Sequence, residues 1–103
     1  MMLPTSLSIV GREVPVKVVD EFPSQLGEYS YEDYSIKIKS GQHPLAAVDT
    51  LLHECIHAID DCFQLKMSER QVYCVTVGVI ALLRDNRDML AYLTEAIEKP
   101  RKV

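Results

Sequence analysis

Residues Pro44–Phe63 read PLAAVDTLLHECIHAIDDCF, and the period of their apolar residues decides the fold. Leu45, Val48, Leu52, Cys55, Ile56, Ile59 and Phe63 recur on one stripe at about 100° per residue, the pattern of an amphipathic helix. Pro44 suits a first helical turn. This helix should end between Asp60 and Phe63, leaving Gln64–Met67 as a linker. Ser68-Glu69-Arg70-Gln71 has the S-x-x-Q form of a capping box, which predicts a second helix continuing through Val72, Val75, Val79 and Leu82. That helix is apolar nearly all round and is therefore expected to be the central, most buried one. Arg84-Asp85-Asn86 interrupts it. Asp88–Glu98 predicts a shorter third helix with Met89, Leu93, Ala96 and Ile97 facing inward, stopped by Lys99-Pro100.

Upstream of Pro44 the period shortens to two. Leu7 and Ile9, then Val14, Val16 and Val18, alternate with other residues around Gly11-Arg12-Glu13, so Ser6–Val10 and Val14–Val19 predict a hairpin, with Pro15 placing the second strand at an edge or bulge. A loop holding Pro23 and Gly27 leads to a second hairpin, Glu28–Tyr31 with Tyr34–Lys39. Its register follows from cross-strand chemistry: Tyr29 opposite Ile36 and Glu28 opposite Lys37. Glu32-Asp33 is a poor primed turn, which points to a longer loop. The expected fold is α+β in one domain spanning 1–103: a small antiparallel sheet from Leu7–Lys39 packed on the first two helices, with the third closing the core.

A chain of 103 residues with 48% hydrophobic content and a formal charge of −4 fits a single globular domain and offers no cationic surface for nucleic acid or an anionic membrane. The only basic run, Lys99–Lys102, reads as a solvated tail. Met1–Val10 lacks the pattern of a signal peptide, and Val72–Leu83 is broken by Thr76 and Gly78 and is too short to span a bilayer, so a cytoplasmic location is expected. Cys55 and Cys62, roughly 10 Å apart along one helix, cannot form a disulfide. A bridge from Cys74 to either is sterically open, but three buried free thiols suit a reducing compartment.

His53-Glu54-Cys55-Ile56-His57 carries the chemistry. Residues four apart in a helix are rotated by about 40°, so both imidazoles project from one face, as two ligands of a single metal must. Glu54, roughly 100° from His53, can lie beside a metal without binding it and serve as general base toward a metal-activated water. Random sequences of this composition contain the pattern on the order of once in 150. The bland alternative is two surface histidines on an amphipathic helix. The remaining histidine, His43, precedes Pro44 and reads as a loop residue. Glu69 is the candidate third ligand, being the only carboxylate between Asp61 and Asp85, although a first-turn Glu also complements a helix N-terminus. If the first helix ran on to Phe63, an antiparallel second helix would set Tyr73–Thr76, not Glu69, level with His57. Ligation by Glu69 thus predicts that the first helix stops near Asp60 or Asp61. Asp49, Asp60 and Asp61 are candidates for orienting the imidazoles, and Tyr31, Tyr34 and Tyr73 for stabilising an oxyanion.

Leu51-Leu52-His53-Glu54-x-x-His57-Ala58-Ile59-Asp60, Met67-Ser68-Glu69-x-x-Val72 and Leu82-Leu83-Arg84-Asp85-Asn86 together resemble the small phage- and prophage-associated zinc metallopeptidase-like proteins, minimal members of the gluzincin group. The resemblance covers about residues 26–86, including Gly27 and the Ile36–Lys39 strand. It implies zinc bound by His53, His57 and Glu69, with Glu54 as base and an edge strand aligning a peptide or protein substrate. The expected function is zinc-dependent peptide-bond hydrolysis. The alternative is a metal-stabilised binding or structural module of a phage that keeps the zincin fold without turnover.

Overall fold

A computed structural model describes residues 2–22 and 25–99. Met1, the loop proline Pro23, Pro100 and the basic run beyond Lys99 lie outside the described residues. The architecture is α+β: strands β1 (Ser6–Ile9), β2 (Arg12–Val19), β3 (Gly27–Ser30) and β4 (Ser35–Lys39) precede helices α1 (Pro44–Phe63), α2 (Glu69–Asp85) and α3 (Arg87–Glu98). No helix of the described residues is long and apolar enough to cross a membrane.

Both hairpins form. Val10 and Gly11 turn the first at φ 50° and 76°, the two positive values that a two-residue type I′ turn demands, so β2 starts at Arg12, two residues ahead of its expected start. In the second, Glu28 pairs with Lys37 and Tyr29 with Ile36 as the cross-strand chemistry requires. The loop is longer than Glu32-Asp33 and closes with Tyr34 at φ 56°, its N–H donating to the Ser30 carbonyl at 2.9 Å.

The four strands form one sheet in the order β1-β2-β4-β3. It is mixed where two hairpins predict a wholly antiparallel one: β2 and β4 run parallel, Val16 beside Ile36 and Val18 beside Ile38. The first half of β2 serves β1 and the second half serves β4, with Pro15 at the junction between the two pairings. This arrangement puts the apolar residues of β2 and β4 side by side. Val14, Val16, Ile36 and Ile38 are buried with Ile9 and Tyr29 against Ala58, and Leu51 and Cys55 of α1 pack onto that cluster.

The helical layer differs from its expected form. α1, not α2, is the central helix, lying between the sheet on one side and α2 on the other. Its enclosed residues are Thr50, Glu54, Ala58 and Asp60, whereas Leu45, Val48, Ile59 and Phe63 of the apolar stripe stay exposed. α2 packs on α1 and α3 and buries only Val72 and Thr76. The expected burial of the second helix fails because α2 sits on the outer side of α1, away from the sheet. Nor does α3 close the core: none of its residues is buried, and among the described elements it packs against α2 alone. The cysteines are free, Cys55 and Cys62 half-buried, but Cys74 is exposed on α2.

Gly27 sets the distance between the edge strand β3 and α1. A Cβ placed there would lie 2.5 Å from Thr50 Cγ2 and 3.2 Å from the Lys37 carbonyl oxygen. Thr50 is buried and donates its hydroxyl to Gln42 Oε1 at 2.8 Å, so it has little room to turn away. Gly27→Ala is expected to cost about 1–3 kcal/mol through overpacking, read as a lower urea midpoint at unchanged slope. Adding Thr50→Ser, which deletes the clashing methyl, is expected to restore most of that loss.

Candidate metal centre

The two histidines sit mid-helix on α1, one turn apart, with ring centroids 4.9 Å from each other. Glu69, the first residue of α2, lies across them: its Oε1 is 2.5 Å from His53 Nε2 and its Oε2 is 3.0 Å from His57 Nε2. His53, His57 and Glu69 each offer one donor atom, all within 4.8 Å of one another, and form a group able to hold a metal ion. Two ligands of a tetrahedral ion at about 2.1 Å stand roughly 3.4 Å apart. The residues therefore fit such an ion after shifts of about an ångström. Both Nε2 atoms face the carboxylate, and Tyr31 Oη stands 3.3 Å from His57 Nδ1. With Nε2 kept free for a metal, the ring proton of His57 resides on Nδ1 and is donated to the phenol oxygen.

Glu69 reaches this position even though α1 runs to Phe63, which corrects the expectation that ligation needs an earlier helix end. Gln64 and Lys66 adopt left-handed conformations, φ 56° and 57°, and fold the linker back along the helix it has just left. Asp60 fixes that return, because its buried carboxylate accepts the Met67 N–H at 3.3 and 3.2 Å. Met67 is thus held level with Asp60, and Ser68 and Glu69 fall beside the histidines. The capping box then starts α2: Ser68 Oγ accepts from Gln71 N at 3.1 Å while Ser68 N donates to Gln71 Oε1 at 2.8 Å. Within five residues, roughly 17 Å of extended chain, the linker recovers the length that the extra helical turn adds.

Glu54 is 7% exposed and faces the same groove. Two adjoining cavities flank the group. One of about 260 Å³ is lined by Gly27, Asp49, Thr50, His53, Glu54, Glu69 and Tyr73, among others. The other, about 470 Å³, has Glu28, Tyr29, Tyr31, His57 and Met67 in its wall and shares Gly27, Glu54 and Glu69 with the first. The edge strand β3 thus forms one wall of the groove, and the linker and α2 form the other. Burial pushes the Glu54 carboxyl up to about 7, reinforced by the charge of Glu69 and opposed by His53 and the Tyr29 backbone. A raised pKa in a groove wall is the property of a proton acceptor working near neutral pH.

The same burial predicts a pH-dependent stability for the metal-free protein. An unfolded Glu titrates near its ordinary 4.5, whereas the folded one holds its proton to about 7. Below pH 4.5 both states are protonated and no penalty exists. Between these values the folded state binds more protons, so stability falls as pH rises, and the penalty is complete above 7. Glu54→Gln, which carries no charge, is expected to melt with wild type at pH 4 and to exceed it by ~1–3 kcal/mol at pH 8, measured by urea unfolding in chelator.

Two of the carboxylates expected to orient the imidazoles, Asp60 and Asp61, act elsewhere. Asp61 accepts from Tyr29 Oη at 2.8 Å and from Arg12 at 3.1 Å, tying β2 and β3 to the end of α1. Asp60 clamps the linker. Asp49 lines the cavity beside His53 with no hydrogen bond found for its carboxylate among the described residues. His43 caps α1, its Nδ1 accepting from Leu45 N at 3.2 Å. Tyr34 is turned away under Arg12, whose guanidinium carbon lies 4.0 Å from the ring centroid. Tyr73 lines the smaller cavity. The Tyr31–His57 contact and the Asp60 clamp were not expected from sequence, because each joins segments whose approach only the folded loops determine.

Searches of protein-family models, of curated proteins and of solved structures find no match to this chain.

Proposed function

We propose that the chain is a zinc-dependent peptidase whose metal is held by His53, His57 and Glu69. The observation that carries this reading is the Glu69 carboxylate laid across both Nε2 atoms, with buried Glu54 in the same groove wall. A bound zinc ion would supply a Lewis acid that lowers the pKa of water and polarises a carbonyl. Glu54 accepts the proton at a carboxylate oxygen and returns it to the leaving amine; its position near neutral pH suits both transfers. Tyr31 keeps the His57 ring in its orientation. The edge strand β3 offers backbone groups to an extended peptide lying in the groove, since its outer side is unpaired in the sheet.

The test is digestion of a mixed peptide library by the zinc-loaded protein. Cleavage that stops on chelation and returns with zinc supports a peptidase. A second reading, a metal-stabilised phage module without turnover, draws on one observation: among the described residues, neither cavity has a Lys or Arg in its wall to stabilise an oxyanion. It prevails if the loaded protein cleaves nothing in the library while binding zinc fully.

A further inference from the structure

We propose that the groove takes peptides with an Arg or Lys side chain beside the scissile bond, and that Asp49 reads that cation. The proposal rests on the peptidase reading and names its substrate class. Four carboxylates line the two cavities: Asp49, Glu28, Glu54 and Glu69. Three of them have another role. Glu69 lies across His53 and His57, Glu54 is buried as the proton acceptor, and Glu28 stands opposite Lys37 on the neighbouring strand. Asp49 is exposed in the wall of the smaller cavity, and among the described residues no ion pair involves it. With no Lys or Arg among the described residues of either wall, its negative charge faces whatever side chain enters.

The position and surroundings of Asp49 suit a cation held close to the reacting bond. It precedes His53 by one turn on the same face of α1, a spacing that leaves about 5–6 Å between Cβ atoms. A side chain that reaches it therefore belongs to a residue flanking the bond at the metal centre. The same cavity has Leu26 and Tyr73 in its wall, 55% and 57% exposed. They offer apolar surface to the methylene stem of a Lys or Arg, and Tyr73 offers an aromatic face to its charged head. A carboxylate set among apolar walls thus matches a charged head on an apolar stem, and it repels a substrate Asp or Glu. A further cavity along the seam of α1 and α2 shares Asp49 and includes Arg84. That guanidinium faces Asp85 at 4.0 Å and sits eleven positions beyond Tyr73, roughly 16 Å along α2, so it leaves Asp49 free for substrate.

Binding, measured apart from cleavage, tests this. The probes are three end-blocked, fluorescently labelled peptide mixtures with uncharged flanks, identical except for a central Arg, norleucine or Glu. Their affinities for the zinc-loaded full chain carrying Glu54→Gln are read by anisotropy. Arg is expected to bind about three- to tenfold tighter than norleucine and at least about tenfold tighter than Glu. Adding Asp49→Asn should bring the Arg-to-norleucine ratio to within about twofold of one, and Asp49→Lys should invert the preference toward Glu. Glu98→Gln on α3, outside the walls of both cavities, removes the same charge and should leave the ratio as it was. The proposal is overturned by equal binding of Arg and norleucine, by a preference that survives Asp49→Asn or falls as much with Glu98→Gln, or by no binding up to about 1 mM. Loss of zinc on Asp49→Asn also overturns it, by assigning Asp49 to the metal. Peptides bound with the expected preference but never cut by zinc-loaded wild type would retire the peptidase reading and keep the cation pocket. Cleavage indifferent to Arg would do the reverse.

Discussion

Glu54→Gln is expected to cut peptide hydrolysis by about 10²–10⁴-fold while zinc uptake and fold persist. The amide matches the carboxylate in shape but accepts no proton, so it removes the base and leaves the three donor atoms of His53, His57 and Glu69 in place. It also relieves the cost of burying a carboxylate at a site only 7% exposed. The variant therefore loses activity and gains metal-free stability at alkaline pH. A residue needed only for packing would lose both. Steady-state rates on a cleaved library peptide, taken with urea curves in chelator, separate the two cases.

The second large effect is on metal linkage. A ligand that binds only the folded state stabilises it by about 2.7 kcal/mol at a hundred times its Kd, worth roughly 10–20 °C in a domain of this size. Wild type and Glu54→Gln should both show this rise in Tm on adding zinc. Glu69→Gln and His57→Ala should lose most of it, because each deletes one of three donors, and even changes beyond the ligands themselves cost ten- to a hundredfold in affinity. The metal-free melts of Glu69→Gln should stay near wild type, as Glu69 is largely exposed. A Glu69→Gln protein that gains as much Tm from zinc as wild type would transfer the third ligand to another carboxylate, Asp49 being one that lines the groove wall.

The parts of this site that were legible in the sequence are those set by local geometry. Residues 53 and 57 share a face in any helix, Ser68 and Gln71 declare a helix start wherever they occur, and Glu28 opposite Lys37 follows from pairing Tyr29 with Ile36. Glu69 is reachable by elimination, but its route is not: the left-handed Gln64 and Lys66 and the Asp60 clamp let the chain double back without shortening α1. The parallel pairing of β2 and β4 was hidden because two strong hairpin signals say nothing about how the hairpins join. The apolar content of α2 suggests burial in the core, whereas Tyr73, Val75, Val77 and Leu82 remain exposed along it. Amphipathic period reports that a face is apolar, not what covers it. On α1 it even picked the less enclosed side, since the acids and histidines of the groove lie under β3 and the linker.

Calorimetric titration of zinc into chelator-stripped protein at pH 7.5 tests the central claim most directly. Wild type is expected to take up one equivalent, and His57→Ala and Glu69→Gln to bind at least tenfold more weakly. Uptake of well under half an equivalent by wild type, or equal affinity in all three proteins, would contradict a metal centre built from His53, His57 and Glu69.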